Sequence, residues 1–420
     1  VIFFDLYILK FGNLLKKIYI LILLLHISLF ASFSGMIVDK TTLKPLQNVL
    51  VSDSIHEVKT DSSGAFSIKS DEDLYFVKAH GYRPLQFKAN TKDSVIKLDS
   101  INVKALYLTF WGASNNSQTL KNILKIIKQT EANAVVVDVK NEYGSTSFLT
   151  GFEQANNYGA HKKRTNRNIE KFIQTMKENN IYTIARIVTF KDELQASNNL
   201  DYAIKDLNGE IWRNHDDMAW VDPYDKRSHE YTISIAEEAA KVGYDEINFD
   251  YIRFPAKTDL LYSKKHTQEN RIKAIEEFLK QAKKRLRKYG VFISVDTYGN
   301  ICWSKDDNNI GQTVEVFAKN ADYLSPMLYP SGFSSGSFYF KHPADHPYEV
   351  IYRSISNIKE RIDTKRVRPW LQYFKDYTSK KKEYKRVEIQ EQIKATEDIN
   401  TSGWMMWSPS SRYHKNYLSK

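Results

Sequence analysis

Residues 243–255 read Gly-Tyr-Asp-Glu-Ile-Asn-Phe-Asp-Tyr-Ile-Arg-Phe-Pro. Apolar side chains recur at every second position, Ile247, Phe249 and Tyr251, the period of a β-strand with one face packed on helices. The intervening Asn248, Asp250 and Ile252 are then expected to face the opposite side. A helix-like run, Arg227–Lys241, precedes this strand and another, Gln268–Lys288, follows it. Strand flanked by helices is the signature of βα units.

Working outward, the same alternation extends over both flanks. Strand-like runs occur at Ala105–Trp111, Ala134–Lys140, Tyr182–Phe190, Glu246–Phe254, Val291–Tyr298, Asp322–Tyr329, Arg368–Phe374 and Gly403–Ser408. Helix-like Gln118–Gln129 and Asn168–Glu178 fill two further intervals. Such a series predicts a closed (β/α)8 TIM barrel over residues 100–420. No Gly-rich phosphate loop follows the first strand, which disfavours an open dinucleotide-binding sheet.

Parity then assigns the barrel interior. Val135, Val137 and Val139 point out and leave Asp138 inside; Val291, Ile293 and Val295 point out and leave Ser294 and Asp296 inside. Strand three can place Arg186 inward with Ile184 and Val188, and strand seven Gln372 with Trp370. Asp138, Arg186, Asp250 and Asp296 are thus expected in one cavity, at the strand ends where barrels carry their chemistry. One reading is a structural ion-pair network. The other is glycosidic bond cleavage, which needs one protonated and one ionised carboxyl beside the scissile bond. An arginine keeps one carboxyl ionised, and a less polar site raises the other.

Residues 35–99 follow a different rhythm, with short alternating runs at Met36–Val38, Val49–Val51, Phe66–Ile68 and Tyr75–Val77 and a turn at Asp61-Ser62-Ser63-Gly64. This predicts a small all-β sandwich of about seven strands. Gly35–Asp39, Pro45–Val51, Thr60–Phe66 and Gly81-Tyr82 resemble the carboxypeptidase regulatory-like domain, which implies a transthyretin-like spacer or binding module. Over residues 1–34, Lys16 and Lys17 precede an apolar run, Ile18–Phe30, and small residues Ala31, Ser32 and Ser34. That order predicts an export signal cut near Ser34, or an uncleaved inner-membrane anchor. The expected location is the periplasm or cell envelope.

The chain has 420 residues, a net charge of +11 and one cysteine, Cys302, so an internal disulfide and a cysteine-based zinc site are excluded. Basic runs at His161–Arg167, Lys280–Lys288 and Lys380–Arg386 read as solvated surface, and no nucleic-acid signature accompanies them. The residues call for no cofactor and no metal; Asp306-Asp307-Asn308-Asn309 lacks calcium-loop spacing.

Trp220–Tyr224, Gly243–Pro255, Val137–Lys140, Ala185–Val188 and Ser325–Pro330 together resemble a bacterial "putative glycosyl hydrolase" family. The resemblance spans nearly the whole barrel and implies a fold distantly similar to the alpha-amylase-like hydrolases. The fourth strand also resembles the D-x-x-D-x-D-x-E motif of chitinase-like barrels, with Asp245 and Asp250 on two aspartates. Asn248 replaces the middle aspartate and Ile252 the catalytic glutamate, which argues against a chitinase mechanism. The expected allocation is Asp250 as nucleophile or charge stabiliser and Asp296 as general acid. Asp138, Glu142, Arg186, Tyr329, Gln372 and Trp407 are the expected contacts to a polysaccharide or oligosaccharide. Lys140 after strand two reads as a sugar contact or a solvated residue, and Asp222 as a loop or cap residue. A carbohydrate-binding or scaffold protein without turnover, and an anion-binding envelope protein, are the alternatives.

Overall fold

In the computed structural model, which describes residues 32–418 apart from 71, 89–94 and 379, the N-terminal part forms two small sheets. One holds β1 (Ser32–Asp39), β4 (Ala65–Lys69) and β7 (Val95–Leu98); the other holds β2 (Leu50–Ser52), β3 (Glu57–Lys59), β5 (Leu74–Lys78) and β6 (Leu85–Lys88). Alternation builds their shared core: Phe66 and Ile68 turn in from β4 while Ser67 and Lys69 stay out. Ile37, Val51, Tyr75 and Val77 complete it. The Asp61 carboxylate accepts the backbone N–H groups of Ser63 and Ala65. Gly64 closes that turn with a φ of 77°, and a Cβ there would lie 2.6 Å from the Ile37 carbonyl.

The segment Lys16, Lys17 and Ile18–Phe30, on which the export expectation rests, lies outside the described residues. The expected cut near Ser34 does meet structure. β1 runs through it, with Ser32 paired to Lys69 and the Phe33 ring 4.9 Å from Tyr75. Cleavage after Ser34 would remove three paired residues and one core ring.

Eight parallel strands then close into a barrel: β8 (Val103–Leu108), β9 (Ala134–Lys140), β10 (Tyr182–Val188), β11 (Glu246–Asp250), β12 (Phe292–Tyr298), β13 (Tyr323–Met327), β14 (Trp370–Gln372) and β15 (Gly403–Trp407). Every strand predicted for the barrel is present. The longer helices around it include α1 (Gln118–Ile127), α2 (Ile169–Glu178), α3 (Lys226–Val242) and α4 (Gln268–Leu286). Their apolar stripes pack on the outward residues, among them Val135, Val137, Ile247, Phe249, Ile293 and Val295. Closure is tight where β15 meets β8. Gly403 has a φ of 99°, and a Cβ on it would stand 1.9 Å from the Val103 carbonyl oxygen.

The lumen is filled in layers. Its lower end holds a sealed ion pair in which Arg368 Nη1 donates to both Glu246 carboxylate oxygens, at 2.9 and 2.8 Å. The Tyr182 hydroxyl donates to the same carboxylate at 2.9 Å. The β-sandwich stands on this end: Lys78 Nζ donates to Asp322 at 2.9 Å, the Gly81 N–H to the Tyr323 hydroxyl at 3.2 Å, and Arg83 to the Asn180 carbonyl at 2.8 Å. All three acceptors lie at or just before strand starts.

One strand departs from its predicted course. β11 stops at Asp250, because Tyr251 takes a left-handed φ of 49°. The alternation breaks there, and Ile252 packs in the layer between barrel and helices rather than facing the lumen.

Candidate active site

Register brings the polar residues together. Arg186 on β10 lies opposite Asp138 on β9 and Asn248 on β11, with Val188 opposite Asp250. The Arg186 guanidinium, 2% exposed, is the hub. Nη1 donates to Asp138 Oδ1 at 2.6 Å; Nε and Nη2 donate to Asp250 Oδ2 at 2.9 and 2.6 Å; Nη2 also reaches Glu142 Oε1 at 3.0 Å. The second Asp250 oxygen accepts the Tyr251 N–H at 2.6 Å, so the turn that ends β11 also orients the carboxylate.

Asp296, on the neighbouring β12, differs in kind. Its Oδ1 accepts both Asn248 Nδ2 at 2.8 Å and Trp370 Nε1 at 2.7 Å. Its Oδ2 has no hydrogen-bond partner among the described residues. Burial, followed by the charge of Asp250, pushes this carboxyl well above the ordinary range, against the two hydrogen bonds that favour ionisation. Burial also raises Asp138, whose Oδ2 accepts the Tyr107 hydroxyl at 2.5 Å. Glu142 goes the other way: burial opposes its ionisation, but Arg186 and hydrogen bonding outweigh it and hold the carboxyl low. Four carboxyls gathered around one guanidinium in a buried site disfavour full ionisation, and burial raises Asp296 and Asp138 among them.

Aromatic rings wall the cluster. Trp407 stacks on Tyr107 with centroids 4.0 Å apart, and the Arg186 guanidinium carbon lies 5.3 Å from the Trp407 ring. Trp370 meets Trp407 edge-on at 5.4 Å. Tyr329 stands close enough that burial and then the charges of Asp296 and Asp250 push its hydroxyl far up. Thus Asp138, Glu142, Arg186, Asp250, Asp296, Tyr329 and Trp407 share one mouth.

Gln372 is inward but spent. It is fully buried, its Oε1 accepts the Ser331 N–H and hydroxyl, and its Nε2 donates to the Phe374 carbonyl, which makes it a brace for the loop after β13. Lys140 is neither solvated nor a sugar contact. It is fully buried, paired with Asp192 at 2.8 Å, and donates to the Val188 carbonyl at 2.5 Å. Asp222 is a turn residue that accepts the N–H groups of Tyr224 and Ser263. Asp307 is held by Arg271 at 2.6 and 2.9 Å.

Two participants escaped the sequence reading. Tyr107 sits in an apolar run, yet Leu106 and Leu108 point outward, so strand parity alone would have turned its hydroxyl into the lumen. Trp370 was expected to face inward beside Gln372, and it is its indole N–H that fixes Asp296.

With this geometry in hand, comparison with known proteins is informative. Residues 105–413 match the family model described as "Putative glycosyl hydrolase domain". A hypothetical protein from Ruminiclostridium thermocellum shares 36% identity over 46% of this chain and 96% of its own, with a TM-score of 0.41. The glycoside hydrolase domain of PgaB (BpsB) from Bordetella bronchiseptica has 11% identity and a TM-score of 0.52, covering 74% of this chain and 94% of its own. At that identity the likeness is one of fold. A chitinase from Bacteroides thetaiotaomicron has a TM-score of 0.46 at 11% identity, over 76% of this chain and 96% of its own. No curated protein matches.

Proposed function

We propose that this chain, which belongs to the "Putative glycosyl hydrolase domain" family, cleaves glycosidic bonds of an envelope or extracellular polysaccharide with Asp296 as general acid and Asp250 as the ionised partner. The observation that carries this reading is the contrast between two neighbouring carboxyls. Asp250 is clamped by two donors of Arg186, whereas burial pushes the Asp296 carboxyl well above the ordinary range and only its Oδ1 is engaged, by Asn248 and Trp370. Glycoside hydrolysis asks for that division of roles. Asp296 would deliver its proton to the leaving-group oxygen as the bond breaks. Asp250 would stabilise the positive charge that develops on the sugar ring, or bond to its anomeric carbon until water releases it. Tyr329 and Trp407 would supply apolar faces for the ring.

The catalytic glutamate of chitinase-like barrels has no counterpart here. Ile252, at that point of the motif, is turned out of the lumen by the backbone at Tyr251. The reaction rests on the β11–β12 pair instead.

Export accompanies this reading, on the strength of Lys16, Lys17 and Ile18–Phe30. Phe33 belongs to the sandwich core, so processing before Ser32 would leave β1 whole, whereas a cut after Ser34 would not. The test is hydrolysis of a panel of envelope and extracellular polysaccharides, repeated with Asp296→Asn and Asp250→Asn. Cleavage by the wild type that either mutant retains at near-normal rate removes that residue from the mechanism. Binding without cleavage across the panel would favour a carbohydrate-binding role.

A further inference from the structure

Six lysine and arginine side chains are buried among the described residues, and five of them face a carboxylate. Lys140 has Asp192, Lys191 has Asp216, Arg186 has its three acidic partners, Arg271 has Asp307 and Arg368 has Glu246. Arg253 is the sixth. It is 9% exposed and has no acidic partner among the described residues. One donor, Nη1, is used on the Phe254 carbonyl at 3.0 Å. Nε and Nη2 have no protein acceptor among the described residues, yet neither belongs to the atoms sealed from water.

Its surroundings are aromatic. The guanidinium carbon lies 4.9 Å from the Trp220 ring, 5.1 Å from Tyr251 and 4.7 Å from Tyr298. Such a cage holds a cation in place without neutralising it. The cage stands at the site just described: Tyr251 follows Asp250, Tyr298 ends the strand that carries Asp296, and the charges of Asp250 and Arg253 both act on the Tyr251 hydroxyl. A largely buried guanidinium without a carboxylate partner, with two donor nitrogens still reachable by solvent and standing beside the proposed active site, suits an anion that arrives from outside.

We infer that Arg253 is an anion subsite that binds a carboxylate of the glycan next to the scissile bond, so that the substrate is an acidic polysaccharide. The inference rests on the site proposed above but concerns binding, not turnover. Two sources share this chemistry: a uronic acid, and the lactyl ether of a muramic acid-type sugar. The cationic fork would donate to the two carboxylate oxygens while Tyr298, 37% exposed, offers its ring to the sugar.

The full chain carrying Asp296→Asn is titrated calorimetrically with oligogalacturonate, oligoalginate, hyaluronan oligosaccharides and peptide-free muramic acid-bearing glycan strands. Each is paired with its carboxyl-reduced, neutral form. For at least one pair the acid form should bind about 10–100-fold more tightly, the usual range for a charge-assisted fork. Adding Arg253→Gln should bring that ratio to about one. The members that show the preference identify the source of the carboxylate. If Arg253→Gln lowers the melting temperature, Arg253→Lys replaces it, and loss of the fork should still cut the preference about tenfold. Absence of an acid preference in every pair, or a preference that survives the substitution, overturns the inference. Wild-type cleavage is scored separately. An Arg253-dependent acid preference without cleavage removes the hydrolase reading alone, and cleavage with no acid preference removes this one alone.

Discussion

The two ends of the barrel lumen each hold a buried arginine, and they use it in opposite ways. At the lower end Arg368 meets one carboxylate, Glu246, with Tyr182 completing the acceptor's bonds and the β-sandwich standing over the layer. Charge is balanced and solvent is shut out, which is what a structural pair requires. At the upper end Arg186 meets Asp138, Glu142 and Asp250, with Asp296 one strand further on. There the acids outnumber the cation, and burial raises two of them. Matched charge seals a barrel; the excess of acid at the other end is what the proposed mechanism draws on. The difference separates a buried pair that holds the fold from a cluster to which the proposed mechanism assigns the chemistry.

Breaking the upper end should show in turnover and not in folding. Asp296→Asn keeps the shape while removing the transferable proton, and should lower kcat by about 10²–10⁴-fold. Asp250→Asn should cost at least as much, with circular dichroism close to wild type in both and no loss of melting temperature in Asp296→Asn. Breaking the lower end should do the reverse. Arg368→Met leaves Glu246 buried without its cation and should cost about 3–5 kcal/mol of stability in chemical denaturation. Activity per folded molecule should be unchanged; an equal loss of activity would show that the two ends are not separable.

Two finer measurements sharpen the contrast. The folded pKa of Asp296 lies above its unfolded value, so between the two the native state holds a proton that the unfolded chain has lost. Stability should therefore fall as pH rises through that window and level off above the folded pKa. Asp296→Asn abolishes this contribution, so its stability relative to wild type should grow with pH across the same window and then become constant. The smallest effect is expected from Trp370→Phe. It removes a hydrogen bond that favours the ionised form of Asp296, so the pH at which kcat/KM declines on the basic side should move upward. A downward shift would mean that the indole N–H does not act on this carboxyl.

Much of this arrangement is legible in the sequence because a closed barrel enforces parity. Val135, Val137 and Val139 must face the helices, and that places Asp138 inside without reference to any other strand. The same logic yields Arg186, Asp250 and Asp296. It fails where the backbone leaves the extended region. Tyr251 does so at a φ of 49°, and nothing in an alternating pattern announces that turn, so Ile252 ends on the side opposite to expectation. It also fails where a partner is distant in sequence. Lys140 reads as a sugar contact or a solvated residue until the chain brings back Asp192 to pair with it. Arg253 is the converse case: its importance lies in a partner it lacks, and only the folded chain can show which cations remain unpaired.

The position of the β-sandwich has a consequence for reach. It stands on the closed pole of the barrel, through Lys78, Gly81 and Arg83, so the chain entering at Ser32 arrives on the side remote from the mouth. Any support that holds the molecule by that side would leave the opposite pole facing outward, with the sandwich as a pedestal. A polymer too large to pass around the molecule could then be met end-on, without threading between the proposed active site and such a support.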